Sequence, residues 1–139
     1  MKNESYIKAS KVNCPELAVM NKQLIVDEGH SNKMSVHELE NRMINFISEN
    51  YEAYLLIEDS ITAGYCLFRP EVDHIYIRQL FIKSEHRRKG AGKRFINCMK
   101  YNVCKEEELV IEVLCNNRNG VNFWRSIGFL DYCITMKMK

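Results

Sequence analysis

The sequence predicts a single α/β domain, α+β in arrangement, whose elements run β-α-α-β-β-β-α-β-α-β. Three observations predict it. Two amphipathic helical stripes fill most of the first fifty residues; three strand-like runs then follow one another through residue 83 on short connections; helical and strand periods alternate from there to residue 138. With 139 residues the chain can bury one sizeable core and not two, so one domain covers 1–139.

"YIKAS" reads as the first strand. From Pro15, an accepted early-helix residue, Leu17, Met20, Leu24 and Ile25 recur at helical spacing until Gly29 stops the run. "SVHE" offers Ser35 as an N-cap with Glu38 three residues on, a capping box, and Val36, Leu39, Met43, Phe46 and Ile47 follow on one face. "EAYLLIE", "TAGYCLF" and "HIYIRQLFIK" are separated by "DS" and "RPEVD", which implies an antiparallel meander. After "KGAGK" the helical period returns at Ala91, Phe95, Ile96, Met99 and Val103. "ELVIEVL" is apolar enough for an interior strand, "NGVNFWRSIG" is a short helix closed by Gly128, and "FLDYCITMKM" reads as a last strand.

Composition narrows the classes of function. Hydrophobic residues make up 46% and charged ones 27%, the balance of a packed globular chain. Twenty basic against eighteen acidic residues leave +2, with both signs scattered, so a nucleic-acid partner is not expected. The opening lacks an apolar signal-like stretch, and no run approaches the ~18 apolar residues of a membrane span. A cytoplasmic protein with no membrane partner is the expectation. Cys14, Cys66, Cys98, Cys104, Cys115 and Cys133 show no C-x-x-C spacing, which favours buried, reduced thiols over disulfides and disfavours a metal site.

The stretch "EHRRKGAGKRF" carries the chemistry. Gly90 and Gly92 lie between a strand and an amphipathic helix, where main-chain N–H groups can face outward with no Cβ in the way. Arg87, Arg88 and Lys93 reinforce the positive end of the helix dipole, which suits a phosphorylated ligand. A Walker A loop fails here because the spacing and the hydroxyl residue are missing, and a dinucleotide fingerprint fails because Phe95 stands where its third glycine is required.

The remaining design is R-x-x-G-x-G after a strand, met by Arg87, Gly90 and Gly92. With it, "QLFIKSEHRRKGAGKRFI" resembles the strand-loop-helix signature of the GNAT superfamily, the acetyl-CoA-dependent N-acetyltransferases. "VLCNNRNGVNFWRSIGF" is similar to the later family segment at Asn117, Gly120, Phe123, Trp124, Gly128 and Phe129, and the likeness covers about residues 4 to 138. It implies a mixed, mostly antiparallel central sheet flanked by helices. It implies a coenzyme A cradle from Arg87, Arg88, Lys89, Gly90, Ala91, Gly92 and Lys93, pantetheine contacts along Leu80, Phe81 and Ile82, and further cofactor contacts at Asn117, Phe123 and Trp124. The activity implied is acetyl transfer from acetyl-CoA to a primary amine of a small molecule in a ternary complex, without metal. A non-catalytic acyl-CoA sensor is the alternative, and monomer and homodimer stay equally open.

The chain departs from the family at two places. Trp124 stands where many relatives keep a tyrosine acid, and indole N–H is too weak an acid to replace it; Tyr132, Tyr76 and Cys115 are substitutes, with Tyr132 taken first. The strand carboxylate of several relatives is also missing. Glu28 and His30, in the loop that covers the acceptor in this family, become the candidate bases. Glu112 is either a base or a structural carboxylate. Arg78 and Gln79 are candidate acceptor contacts, and strand alternation lets only one readily face the pocket. Arg78 there would suit an amino-acid-like acceptor; Gln79 would make the pocket merely polar.

Overall fold

The structure, a computed structural model, describes residues 3–139. Five strands form one sheet in the order β1-β2-β3-β4-β5: β1 Glu4–Lys8, β2 Glu52–Glu58, β3 Ile61–Pro70, β4 Ile75–Ile82 and β5 Leu109–Ile111. The first four are antiparallel and β5 runs parallel to β4. The helices are α1 Cys14–Asp27, α2 Val36–Ser48, α3 Ala91–Cys98 and α4 Arg118–Ser126. The mixed, mostly antiparallel sheet flanked by helices is the expected fold class.

Each helix starts where the sequence supplies an N-terminal signal. Ser35 Oγ accepts from the Glu38 amide at 3.1 Å while Glu38 Oε1 accepts from the Ser35 amide at 2.9 Å, completing the capping box. The hairpin between β2 and β3 turns on Asp59 and Ser60, both with positive φ (49° and 68°), the backbone of a two-residue turn whose twist matches the strands. Asn3 braces that turn by exchanging hydrogen bonds with Asp59.

Strand alternation divides the core into two layers. Leu56, Cys66, Phe68, Ile75 and Ile77 face Phe95, Met99 and Trp124, on α3, the turn after it and α4. Leu55, Tyr65, Leu67 and Phe81 face Leu17, Met20 and Met43 on α1 and α2. β3 is buried on both faces from Ala63 to Phe68, which explains its unbroken apolar run. Beyond Cys98 the third helix widens into a π turn, Met99–Val103, closed by the Cys104 amide donating to the Met99 carbonyl at 2.7 Å. Cys104 is thereby buried against the first layer.

Two sequence expectations change. The run 129–138 pairs with no strand, so the last predicted strand is absent from the sheet. Its root leaves α4 through Gly128 (φ 109°), and Asp131 is drawn back onto α4 by a two-pronged pair with Arg125 at 2.9 and 2.6 Å. The thiols are also less uniform than expected: Cys14, Cys66 and Cys104 are buried, Cys98 is half-buried, and Cys115 and Cys133 are exposed because they lie on connections outside the sheet. Among the described residues no helix is long and apolar enough to cross a membrane.

At Gly64, on β3 opposite β4, an added Cβ would lie 2.2 Å from the Phe81 carbonyl oxygen. Gly64→Ala is therefore expected to destabilise the protein by about 3 kcal/mol, read as a fall of roughly 10 °C in thermal unfolding.

Candidate active site

The glycine loop folds as its sequence requires. Gly90 caps α3 with φ 75°, a conformation that a side chain resists, and Arg88 also has positive φ (64°). The first amides of α3, from Ala91 to Lys93, have no intrahelical acceptor and form the positive end of its dipole. A Cβ on Gly92 would lie 3.0 Å from Phe123 Cζ, so this glycine lets α3 approach α4 closely. Arg88, Lys89 and Lys93 are exposed around this helix start.

Arg87 serves the loop from behind. Its Nε donates to the Ile82 carbonyl and its Nη2 to Asp27 Oδ2, both at 2.6 Å, and its guanidinium lies 5.5 Å from the Phe81 ring centre. The arginine thus ties β4, the loop and the end of α1 together. Burial works to raise the Asp27 carboxyl, but hydrogen bonds from Arg87 and Gln23 outweigh it and hold the group below its usual range.

Next to this loop the sheet opens. β4 and β5 pair only at Ile75 with Leu109, Tyr76 with Val110 and Ile77 with Ile111. From Gln79 to Ile82, β4 has a sheet partner on its β3 side alone. Leu80, Phe81 and Ile82 therefore line a wedge, with main-chain hydrogen-bonding groups turned toward it and the N-terminus of α3 beyond it.

On the α1–α2 side of the sheet lies a cavity of about 240 Å³ bounded by Asn21, Glu28, His30, Asn32, Arg42, Tyr76, Arg78 and Gln79, with Leu24 and Ile25 beneath. Arg78 and Gln79 both reach it, against the expectation that only one could. Leu67 pairs with Gln79 and Phe68 with Ile77, so Arg78 is the extra residue of a β-bulge, which cancels the alternation at this point. Buried Tyr65 fixes Gln79 by donating its hydroxyl to Oε1 at 2.7 Å.

Charge in the cavity is unevenly distributed. The Arg42 and Arg78 guanidiniums lie 5.4 and 4.8 Å from the Phe46 ring centre. Arg42 Nη2 donates to Asn21 Oδ1 at 3.0 Å, while Arg42 Nε and Asn21 Nδ2 are buried without a partner among the described residues. Burial, then the charge of Arg78, weakens the hold of Arg42 on its proton. Facing them, Glu28 is raised above the usual glutamate range by desolvation, with His30 opposing and Asp27 adding to the shift. His30 Nδ1 accepts from the Asn32 amide at 3.2 Å, which shapes the loop.

Other expected residues fall differently. Asn117 caps α4, its Oδ1 accepting from the Gly120 amide at 3.1 Å. Trp124 is buried in the core with Phe123 and Phe129 edge-on at 5.0 and 4.9 Å, a packing residue. Tyr132 is 94% exposed beyond α4 and does not line the cavity, so as an acid within its own chain's site it is not brought into place. The reason is the unpaired run that carries it. Tyr76 does line the cavity and donates to Glu112 Oε1 at 2.9 Å; burial, then Glu112, raises its hydroxyl, so it holds its proton. His86 is engaged by buried Glu58 at 2.5 Å. Arg42 and Asn21 were not found from the sequence. Arg42 has Glu38 and Asn45 as helical neighbours, so no local pattern singles it out.

A family model described as the acetyltransferase (GNAT) domain matches residues 16–132. No curated protein matches. Among solved structures, the aminoglycoside N-acetyltransferase AAC(6')-Iy in complex with CoA is similar with TM-score 0.80 at 10% identity, over 100% of this chain and 95% of that one. A possible acetyltransferase from Clostridium difficile 630 has TM-score 0.80 at 14% identity, over 98% and 96% of the two chains. A predicted acetyltransferase with acetyl-CoA from Clostridium acetobutylicum has TM-score 0.75 at 14% identity, over 99% and 96%. At these identities the likeness is one of fold.

The Arg87–Asp27 pair yields a pH-dependent test. Because the folded Asp27 carboxyl is held low, its contribution is present above the usual aspartate range of about pH 4 and is lost as pH falls through the depressed folded value. Asp27→Asn is expected to lower stability by less than about 1 kcal/mol at neutral pH, with the difference closing in acid, as measured by chemical denaturation at both pH values.

Proposed function

The chain belongs to the GNAT acetyltransferase family, and from that premise we propose that it moves an acetyl group from acetyl-CoA to the primary amine of a small, acidic, amino-acid-like acceptor. The observation that carries this reading is the wedge between β4 and β5, which opens toward the glycine-capped start of α3 on one side of a cavity holding Glu28, Arg42 and Arg78.

The residues present fit the cofactor. Gly90 has the positive φ that a side chain resists, and the α3 amides with Arg88, Lys89 and Lys93 would hold its diphosphate. The main chain of Leu80 to Ile82 would receive the pantetheine arm, with Phe123 beside Gly92 as the floor. When bound, acetyl-CoA supplies the thioester carbonyl that an amine attacks.

Glu28 is the base of this proposal. An acceptor amine arrives as an ammonium and must lose a proton; a carboxylate of raised proton affinity accepts one more readily near neutral pH than an ordinary glutamate would. Arg78 and Arg42 hold the acceptor's anionic group, which relieves the unpartnered Arg42 Nε and the repulsion between the two cations. Gln79, fixed by Tyr65, sets the floor polarity. His30 positions the loop around Glu28. The same two arginines disfavour a polycationic acceptor, so the aminoglycoside named for AAC(6')-Iy is not carried over to this chain. Tyr76 is the protonated hydroxyl at the lip and is assigned the return of a proton.

Thiol release measured with acetyl-CoA over amino acids, acidic amines, polyamines and aminoglycosides should be highest for acceptors bearing both an amine and an acidic group. Binding of coenzyme A with silence on every amine would instead support a sensor. Glu28→Gln is expected to lower kcat by about 10²- to 10⁴-fold. It should also remove the acid limb of the rate profile, in which activity rises with pH as Glu28 loses its proton at a pH above about 4.3. The exposed charge reversal Lys93→Glu should weaken coenzyme A binding roughly tenfold in calorimetry while leaving the fold intact.

A further inference from the structure

Glu58, the last residue of β2, is a buried carboxyl group that acetyl transfer as described does not use. Its side chain is 1% exposed, and Oε2 lies 2.5 Å from Nδ1 of His86, whose side chain is 15% exposed. Taking a carboxyl group this far from water is unfavourable unless charge and hydrogen bonds offset the loss. Here they come from two elements. His86 meets the group from the connection after β4, and Glu4, its register partner on β1, is hydrogen-bonded to it.

Glu4 is gripped in turn by Arg94 of α3. Arg94 Nε donates to its two carboxylate oxygens at 3.0 and 3.1 Å, and Nη2 donates to Oε1 as well. The Tyr6 hydroxyl donates to Oε2 at 3.1 Å. Chiefly through the hydrogen bond from Arg94, and against burial, the Glu4 carboxyl is held below the usual glutamate range. Two carboxyl groups therefore stand with Arg94 as a permanent cation and His86 as the group that can supply a second.

The network reaches the glycine loop at both of its ends. His86 closes the short turn Ser84–His86, and Arg87 follows it directly. At the far end Arg94 Nη1 donates to the Lys89 carbonyl, one residue before Gly90. Between these anchors Arg88 holds φ 64°, a backbone state that a residue with a side chain keeps only when its surroundings enforce it. The balance of charge matters as much as the tether. An uncompensated carboxylate behind the loop would oppose an anion in front of it, whereas a compensated pair leaves the field of Arg88, Lys93 and the α3 dipole to the ligand.

We infer that Glu58 and His86, with Glu4 and Arg94 behind them, are positioning residues of the diphosphate loop, which set the affinity for coenzyme A by fixing the backbone from Arg87 to Lys93 and by cancelling the carboxyl charge beneath it. The inference rests on the reading of that loop as the diphosphate cradle and is independent of the acceptor.

Calorimetric titration with coenzyme A tests it. His86→Gln, in a chain whose circular dichroism shows the native fold, should bind coenzyme A roughly tenfold more weakly, because the cation facing Glu58 is removed while the carboxyl stays buried. The double variant Glu58→Gln with His86→Gln should recover part of that loss, since the paired amides keep a hydrogen bond and no carboxyl charge remains to be cancelled. Pantetheine, which has the thiol arm without the diphosphate, should bind native and variant chains alike in an NMR titration. Should His86→Gln not fold, Arg94→Gln, at the more exposed end of the same network, is expected to weaken coenzyme A in the same direction. A native chain that binds no coenzyme A refutes the cradle itself. Native binding that His86→Gln or Arg94→Gln leaves unchanged overturns the positioning role, as does a double variant weaker than His86→Gln alone or an equal loss with pantetheine, which would mark general damage to the sheet.

Discussion

The separation of β4 from β5 after only three paired residues is the constraint on which the rest of the structure depends. A parallel pair that continued would consume the main-chain groups of Arg78 to Ile82 in sheet hydrogen bonds and close the wedge. Because the pair stops at Ile77 and Ile111, β4 has no strand on that side from Gln79 to Ile82, where Arg87 Nε donates to the Ile82 carbonyl and the start of α3 lies nearby. Both core layers brace the opening: Phe81 is buried against α1 and α2, and Ile75 and Ile77 against α3 and α4. The wedge is therefore held by packing on both faces of the sheet.

The bulge at Arg78 is the second device, and it acts on the same strand. One extra residue brings Arg78 and Gln79 to one cavity and sets a second cation on the Phe46 ring that Arg42 shares, in a cavity that Glu28 also lines. The resulting field is asymmetric, with two guanidiniums sharing an aromatic ring and a carboxylate whose proton affinity is raised by its surroundings. Such a field discriminates by charge: the paired guanidiniums attract an anion and repel a cation. Arg87, the first residue of the phosphate-loop pattern, is turned inward to Asp27 and Ile82, so it stiffens the loop that the glycines shape.

Local signals made much of this legible. The capping box at Ser35, the two-residue turn at Asp59 and Ser60, and the glycine start of α3 each rest on interactions within a few residues, and each formed as read. Glu28 and His30 were placed at the acceptor side from a resemblance alone and do line the cavity. What the local pattern did not show depended on partners far along the chain. The bulge needs the register of β3 against β4, and Trp124 as a packing residue needs Phe123 and Phe129 around it. Arg42 and Asn21 carry no local mark of their role because the cavity that gives them one is made by α1, the loop after it, α2 and β4 together.

By itself the sequence determined the class of fold, the order of nine of its elements, the glycine geometry of the turn before α3 and the strand period of residues 130–138, since each follows from backbone sterics or side-chain spacing over short range. Only the tertiary structure decided where β5 leaves β4, that Arg78 and Gln79 share one cavity, and that the last strand-like run stands outside its own sheet. Those outcomes are set by pairing between segments distant in the chain, and the amino-acid pattern of a strand records its two faces but not its neighbour.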